Sequence, residues 1–320
     1  MQLYALDPDE PLGPALAAAL EEPLAPFEER PFEDGERKLR PLHDPHGHEA
    51  VIVAALHGMG GISPISPHDR LWRLMLLAAT LRDHGAARVT AVLPYLAYAR
   101  KDRRTQPWDP LSLRVLAQAL ESAGVAQVVA FEAHDTAAFE NAFRVPVVNV
   151  QAWPLFEPLA WAQLEAGPVA VAAPDPGGVR RALALHAQLA ARATHPMGFA
   201  MVDKRRSGGL LTGGHLVAGE VEGRTVLLVD DLVATGHTLA QAAAALKRAG
   251  ARAVLALVAH GLFAPGAAHA LAEPALDRLV VTDSVPGGRL PVGSAAAAKL
   301  QVVSAAPLLA HMVAQVTSRR

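Results

Sequence analysis

The feature that most constrains this chain is a recurring unit: a helix-favouring, Ala-rich segment, a Gly, and then a short apolar strand. Gly directly after a helix supplies the left-handed backbone conformation that other residues resist. The strands lack polar alternation, as expected when helices cover both faces of a parallel sheet. The pattern therefore predicts an α/β architecture. Three copies of the unit are Leu81–Gly85 before Arg88–Leu93, Leu120–Gly124 before Gln127–Phe131, and Leu246–Gly250 before Ala253–Val258.

The number of strands indicates more than one sheet. The chain has 320 residues, which exceeds the usual size of a single domain, so we expect two. Val150–Pro158 carries two prolines between helix–strand units and is the candidate boundary. Further strands are predicted at Ala50–Leu56, Pro168–Ala173, Gly198–Val202, Thr225–Val229 and Leu279–Thr282.

The composition excludes several classes of protein. The 29 Lys and Arg residues nearly balance the 31 Asp and Glu residues, so neither nucleic acid nor an anionic membrane is expected as a partner. The absence of cysteine excludes disulfides and thiolate catalysis. The acidic start shows no secretory signal, and no apolar run of about 18 residues predicts a membrane span. We therefore expect a cytoplasmic protein.

The strongest chemical signal is Asp230–Thr238, which lies between strand Thr225–Val229 and an Ala-rich helix. Unpaired backbone N–H groups and the positive end of the dipole stabilise an anion at a helix start. Gly236 lets the backbone approach closely, Thr235 and Thr238 add hydroxyl donors, and the two acids can accept hydrogen bonds from sugar hydroxyls. The segment predicts a cradle for a phosphorylated sugar. The alternative is an acidic strand end with an ordinary Thr N-cap.

Two groups of cations are candidates for phosphate contact. Lys204, Arg205 and Arg206 follow a predicted strand and precede Gly208–Gly209, which suggests a mobile positive loop that folds over a reacting phosphoryl group. Arg100–Arg104 forms a second cluster with an Asp inside it, suited to a triphosphate. In each case a solvated surface run is the alternative.

Two residues at strand ends are candidate ligand contacts, whereas two sets of histidines and tryptophans have structural interpretations. Asp175 and His134 each end a strand, where a ligand-facing group of a doubly wound sheet would lie, although a lone His is more often structural. The loop histidines are interpreted as a surface turn; they are His43, His46 and His48. Three tryptophans in apolar surroundings are interpreted as core or interface; they are Trp72, Trp153 and Trp161.

Taken together, these segments resemble a known family. Asp230-Asp231-x-x-x-Thr235-Gly236-x-Thr238 is similar to the ribose-phosphate loop shared by phosphoribosyltransferases and ribose-phosphate pyrophosphokinases. Other segments resemble motifs of the pyrophosphokinases in the same order; they are Phe32–Glu36, Pro94–Arg103, Phe131–His134, Ala173–Gly178, Asp203–Arg206 and Val281–Ser284.

The resemblance implies two similar doubly wound parallel-sheet domains of the phosphoribosyltransferase type. An N-terminal ATP-binding domain would span residues 1–153 and a C-terminal ribose-phosphate-binding domain residues 154–305. A closing helix over residues 306–320 would pack on the first domain. The implied reaction moves pyrophosphate from MgATP to the 1-hydroxyl of ribose 5-phosphate, giving phosphoribosyl pyrophosphate and AMP. The alternatives are a phosphoribosyltransferase and a non-catalytic regulatory homologue associated with a synthetase.

The resemblance also assigns roles to matching residues. It implies ATP binding by Phe32, Asp34, Glu36, Arg100, Lys101 and Asp102. It implies that His134 and Asp175 position Mg²⁺ and that Lys204 and Arg206 are catalytic. It implies ribose 5-phosphate binding by Asp230, Asp231, Thr235, Gly236, His237 and Thr238.

The chain departs from the family pattern at five places. Ala234 stands where many members have Asp, His237 replaces a common Gly, and Lys101 replaces the usual Gln. Ser66–Arg73 replaces a segment that contributes to subunit contacts in the family, and Met59–Pro64 resembles an insertion before it. We therefore expect a homo-oligomer, with a dimer favoured over a hexamer.

Overall fold

A computed structural model of the chain describes residues 1–58, 65–207, 210–286 and 290–318, with the backbone alone at 204–207 and 210–215. The inferred insertion Met59–Pro64 and the predicted loop glycines Gly208–Gly209 lie outside the described residues. The chain divides into two compact units, one built mainly from residues 1–151 and the other mainly from residues 152–283. None of the described helices combines the length and the apolar character that a membrane crossing requires.

The first unit is a parallel sheet with helices packed on it and a separate hairpin. Its elements are β1 (Gln2–Ala5), α1 (Leu12–Leu20), β2 (Phe27–Pro31), β3 (Arg37–Pro41), β4 (Glu49–Val53), α2 (Pro67–Asp83), β5 (Arg88–Leu93), α3 (Ser112–Ser122), β6 (Gln127–Phe131), α4 (Thr136–Ala142) and β7 (Val147–Val150). The strand order is β1-β4-β5-β6-β7, all parallel, while β2 and β3 pair antiparallel.

The second unit repeats this plan with a larger sheet. Its elements are α5 (Trp153–Ala166), β8 (Val169–Ala173), a 3₁₀ turn (Pro176–Gly178), α6 (Val179–Ala190), β9 (Gly198–Ser207), β10 (Leu210–Gly219), β11 (Thr225–Val233), α7 (His237–Arg248), β12 (Ala253–Gly261), α8 (Ala267–Leu271), β13 (Arg278–Thr282), α9 (Ala295–Lys299) and β14 (Leu300–Val303). The order is β10-β9-β8-β11-β12-β13-β14, parallel except for β10 on β9. The predicted α/β fold class is confirmed.

The final helix, α10 (Ala306–Ser318), belongs to the first unit, where it packs against α1. Arg88 Nη2 donates to the carbonyl oxygen of Val316 at 2.8 Å and to Glu49 Oε1 at 2.6 Å. A cation beside the last carbonyls of a helix satisfies acceptors that have no partner within the helix. The end of α10 is thus attached to β4 and β5 of its own unit.

The sheets form as the apolar pattern predicts. Every residue of β4, β6 and β8 is buried, as expected of strands covered on both faces. The glycines that end the three repeated units all have positive φ, at +82°, +92° and +90° for Gly85, Gly124 and Gly250. The helix of each repeated unit is therefore followed by a Gly in the left-handed conformation, as inferred from the sequence.

Two strands run further than predicted. β11 continues to Val233, because β12 continues beside it to Gly261 and supplies its backbone partners. Asp230 and Asp231 are therefore strand residues, not part of a loop. A mobile loop was also expected to begin at Lys204–Arg206. That prediction is wrong for the backbone, which at Lys204 and Arg206 is part of β9 and pairs with β10.

A buried charge cluster ties the hairpin of the first unit to its helix α2. Arg73 donates to Asp7 at 2.8 Å and to both oxygens of Glu29, on β2, at 2.8 and 2.7 Å. Arg70 pairs with Asp7 and donates to Glu10 at 2.7 Å. Both guanidinium groups are almost completely buried. Buried charges persist only when paired and hydrogen-bonded, so this arrangement fixes β2 against α2.

The cluster also makes stability depend on pH. Burial of Glu10 favours its neutral form, but His57 and Arg70 outweigh that effect and lower the pKa of its carboxyl. A carboxyl with a lowered pKa contributes stability above its unfolded pKa and loses it as the pH falls through the folded value. Acidification below about pH 4 should therefore weaken this part of the fold.

We predict that Arg73→Met lowers the free energy of unfolding by about 2–3 kcal/mol, because it removes a buried, charge-assisted partner from the half-buried carboxylates of Asp7 and Glu29, which keep only Arg70 and Arg37, respectively, among the described ion pairs. Urea unfolding measures this loss. Arg40→Met is the matched control, since Arg40 is 58% exposed and pairs with the partly exposed Glu28 across the hairpin, and should cost less than about 1 kcal/mol. Equal losses in the two variants would contradict the structural role of the cluster.

Candidate active site

In the first unit, polar residues gather after the carboxyl ends of β5 and β6. Three residues there have positive φ although they are not glycine: Tyr98 at +63°, Trp108 at +65° and Glu132 at +45°. Such conformations are uncommon for bulky residues and persist only where the surrounding structure holds them. They are found most often at functional sites. The end of the sheet at β5 and β6 is therefore the first candidate region.

One ion-pair group joins the segments that follow these two strands. Arg103 donates to Asp102 at 2.8 Å and to Asp135 at 3.3 Å. The hydrogen bond from Arg103 holds the pKa of Asp102 below its usual value; burial opposes this, and His134 lowers the pKa further. Asp102 and His134, predicted from separate motifs, are thus brought together. Asp135 also caps α4 by accepting from Ala138 N at 2.8 Å.

The predicted ATP-binding residues of the hairpin form a separate exposed turn. Phe32 N donates to the carbonyl oxygen of Glu36 at 2.7 Å, and Asp34 Oδ1 accepts from Glu36 N at 3.0 Å. Arg30 lies over the Phe32 ring, 5.4 Å from its centroid. Within the described residues, no hydrogen bond or ion pair is found between this turn and Arg100, Lys101 or Asp102.

In the second unit, three carboxylates meet at the ends of β8 and β11. Asp175 Oδ1 accepts from Gly177 N at 2.8 Å and Gly178 N at 3.2 Å, which fixes the start of the turn before α6. Asp230 and Asp231 lie next to it on β11. Arg181 Nη1 is 3.9 Å from Asp230 Oδ1 and 3.7 Å from Asp231 Oδ1. A single guanidinium thus faces two largely buried acids.

The charge of this acid pair is incompletely balanced. Burial raises the pKa of Asp230 well above its usual value, and the negative charges of Asp231 and Asp175 add to the rise; Arg181 opposes it. A hydrogen-bond donor that reaches this pair of carboxylates, such as a hydroxyl group or a hydrated cation, stabilises their charged form. The strand end is therefore built to accept hydrogen bonds or positive charge.

The turn after the pair has the geometry of an anion site. Gly236 has φ of +79°, and a Cβ there would lie 2.7 Å from Leu271 Cγ, so glycine is required by the fold itself. Helix α7 begins at His237 with Gly236 as its N-cap and no described side chain capping it. The Thr N-cap alternative is therefore wrong. Thr235 and His237 are exposed and Thr238 is half-buried at this helix start.

The donor set suits Mg²⁺ only as an ion that keeps its waters. No group of three or more His, Asp or Glu side chains that could hold a metal occurs in the described parts of the chain. His134 lies in the first unit and Asp175 in the second. Mg²⁺ commonly takes one or two carboxylates, with waters and substrate phosphates as its other ligands. The residues fit such an ion arriving with a nucleotide, and they do not form an all-protein cage.

Four residues at these sites carried no prediction from the sequence: Arg181, Asp135, Trp108 and Asp109, whose carboxylate pairs with Lys101. Asp135 had a usable signal, because an acid after a strand and before a helix is a typical N-cap. Arg181 and Asp109 had none, since their roles depend on which acids and cations the fold brings near them. Trp72, interpreted as core or interface, is 56% exposed on α2 and is not in the core of its unit.

We predict that Asp230→Asn stabilises the fold near pH 8 by more than about 1 kcal/mol, the free energy of one pKa unit. A carboxyl with a raised pKa in the folded state destabilises that state once the pH exceeds its unfolded pKa, and the amide removes this charge. Urea unfolding at about pH 5 and pH 8 measures the effect, with the exposed Glu222→Gln as control. A destabilised Asp230→Asn at pH 8 would contradict the electrostatic account.

Comparisons with known proteins agree with this site architecture. Residues 1–124 match the model for the N-terminal domain of ribose phosphate pyrophosphokinase, and residues 159–271 match the model for the phosphoribosyl transferase domain. The ribose-phosphate pyrophosphokinase of Burkholderia pseudomallei is 35% identical over 288 residues, covering 89% of this chain and 84% of the relative. That of Granulibacter bethesdensis is 32% identical, covering 89% and 87%.

A solved structure extends the likeness to the whole chain. The phosphoribosylpyrophosphate synthetase of Mycobacterium smegmatis superimposes with a TM-score of 0.87 at 27% identity, covering 100% of this chain and 99% of that one. The two domain matches, the identity to relatives over most of their length and the shared fold lead to one conclusion: the chain belongs to the ribose-phosphate pyrophosphokinase family.

Proposed function

We propose that this protein transfers the diphosphoryl group of MgATP to the 1-hydroxyl of ribose 5-phosphate, giving phosphoribosyl pyrophosphate and AMP. The observation that carries the proposal is the acid pair Asp230–Asp231 next to the uncapped start of α7, in a chain of this family. An acceptor for sugar hydroxyls beside a binder of anions suits a phosphorylated sugar.

On the acceptor side, each feature of the second unit has a role. The backbone N–H groups at the start of α7, with the hydroxyls of Thr235 and Thr238, bind the 5-phosphate. Gly236 keeps that turn tight, and the exposed His237 adds a donor at its rim. The acid pair accepts hydrogen bonds from the ribose hydroxyls, which relieves the repulsion that burial creates.

On the donor side, the first unit supplies the nucleotide contacts. Arg100 and Lys101 face the phosphates, with Asp102 held ionised by Arg103. Phe32, Asp34 and Glu36, at the exposed hairpin turn, contact the rest of ATP. We infer that this exposed turn engages ATP bound to a neighbouring copy of the chain, as the resemblance of Phe32–Glu36 to the family motif implies.

Mg²⁺ would enter with the nucleotide and would supply charge neutralisation at the phosphates. His134 in the first unit and Asp175 in the second would each contact the hydration shell of such an ion. Asp175 has one oxygen committed to Gly177 and Gly178, so its other oxygen is the one suited to this task.

The transfer is a displacement at the β-phosphorus. The O1–Pβ bond forms, the bond from Pβ to the oxygen bridging it to the α-phosphorus breaks, and AMP leaves with that oxygen. Positioning and charge neutralisation supply the catalysis in such a reaction. Lys204 and Arg206, on β9, provide the cations for the transition state.

The remaining predictions concern assembly and location. We retain the expectation of a homo-oligomer, with a dimer favoured over a hexamer, and of a cytoplasmic enzyme. A phosphoribosyltransferase would use the acid pair but would require phosphoribosyl pyrophosphate and a base as substrates. A non-catalytic homologue would bind ATP without releasing AMP.

We predict that the purified protein releases AMP from ATP only when Mg²⁺ and ribose 5-phosphate are both present. Lys204→Ala should lower kcat by about 100- to 1,000-fold, the usual loss when one charge-stabilising donor is removed. Arg248→Ala, an exposed cation at the end of α7, is the matched control and should retain activity. Activity seen only with phosphoribosyl pyrophosphate and a base would overturn the proposal, as would ATP binding without any AMP.

A second prediction concerns the pH–rate profile. Arg181 lowers the pKa of Asp230, so Arg181→Gln should raise it and move the acidic limb of kcat/KM to higher pH. The neighbouring Arg180→Gln, an exposed arginine on the same helix, should leave the profile in place. Equal profiles for wild type and Arg181→Gln would show that the acid pair need not be ionised.

A further inference from the structure

The loop that follows β5 is held in one shape by a single carboxylate. Asp109 Oδ2 accepts from Thr105 N at 2.9 Å, Thr105 Oγ1 at 2.9 Å and Gln106 N at 2.8 Å, and it pairs with Lys101 Nζ. Arg104 Nε donates to the Asp109 carbonyl oxygen at 3.1 Å. The loop from Lys101 to Asp109 is thus closed on itself and ordered by its own contacts.

This closed loop presents an indole ring to solvent. Trp108, directly before Asp109, is 97% exposed and has φ of +65°. A large aromatic residue gains nothing from such exposure in the isolated fold, and the left-handed conformation adds a backbone cost. Strained residues persist where the surrounding structure over-determines them, and such places are commonly ligand contacts.

The other tryptophans are engaged differently. Trp161 stacks under the guanidinium of Arg192, 4.8 Å from its ring, and Trp153 is half-buried at the start of α5. Trp72 is 56% exposed but lies on the regular helix α2. Trp108 therefore has the most exposed ring and the only left-handed backbone of the four, all of which the structure describes.

The charges around Trp108 indicate what kind of ligand it contacts. The same loop carries the exposed cations Arg103 and Arg104, and the exposed Arg100 directly precedes it. A flat aromatic surface beside several cations matches a ligand with a flat ring at one end and phosphates at the other. Nucleoside triphosphates have this form, and purines offer a larger stacking face than pyrimidines.

We propose that Trp108 is a binding and specificity residue that stacks on the purine base of the nucleoside triphosphate donor. The inference rests on the proposed function for the identity of that donor. It adds a base-contacting residue to that donor site: stacking depends on ring area, so the Trp108 contact favours purine donors over pyrimidine donors.

The test is a binding experiment that does not depend on turnover. Calorimetric titration with MgATP, without ribose 5-phosphate, is compared with titration by magnesium tripolyphosphate, which lacks the base. Trp108→Ala should weaken ATP binding by about tenfold while leaving tripolyphosphate within about twofold of wild type. Trp108→Phe should retain most of the ATP affinity, and Trp72→Ala is the matched control with no change expected.

The outcomes separate this inference from the proposed function. Unchanged ATP affinity in Trp108→Ala, or an equal loss for ATP and tripolyphosphate, overturns the stacking role even if the wild type makes AMP. A selective loss for ATP supports it even if the wild type makes no AMP. Lack of ATP binding by the wild type overturns it outright. In turnover, the variant should show a higher KM for ATP, an unchanged KM for ribose 5-phosphate and a smaller preference for ATP over CTP.

Discussion

Burial of the parallel strands on both faces is the constraint on which the rest of this molecule depends. Strands β4, β6 and β8 are buried throughout, and the polar residues among them stand only at the first position of β4 and of β6, Glu49 and Gln127. Chemistry is therefore confined to the carboxyl ends of the strands, where chain direction brings successive loops to one edge. Both units use this edge: the Asp102–His134 group follows β5 and β6, and the Asp175–Asp230–Asp231 group follows β8 and β11.

The two edges differ in charge and therefore suit different ligand groups. In the first unit, the segment after β5 carries four cations and two acids, and the acids serve to hold it: Asp109 closes the loop and Asp102 pairs with Arg103. In the second unit, acids predominate and Arg181 offsets their repulsion only in part. The first arrangement suits phosphates, and the second suits hydroxyl groups and a hydrated cation. Hydrogen bonds from ligand donors to the acid pair offset the repulsion and desolvation of its charges, which favours ligand binding.

Features that depend on interactions between residues close in sequence could be predicted, and features that depend on distant residues could not. The strands, the helix-ending glycines and the requirement for Gly236 were predictable, because period and backbone conformation are local. The continuation of β11 and β9 was not, since it depends on partners supplied by β12 and β10. Arg181 and the buried pair Arg70 and Arg73 were missed for the same reason: a charge shows its role only when folding places acids around it. Motif order identified the family, but left Trp108 without an assignment.

The central claim is that a two-phosphorus group moves to the anomeric oxygen. Phosphorus NMR of a reaction with MgATP and ribose 5-phosphate carrying a heavy oxygen isotope at O1 tests it most directly. The account predicts unlabelled AMP and a diphosphate on the sugar, with the isotope shift on the phosphorus bonded to O1. ADP together with a sugar bearing a single new phosphate would contradict it, and so would label in AMP.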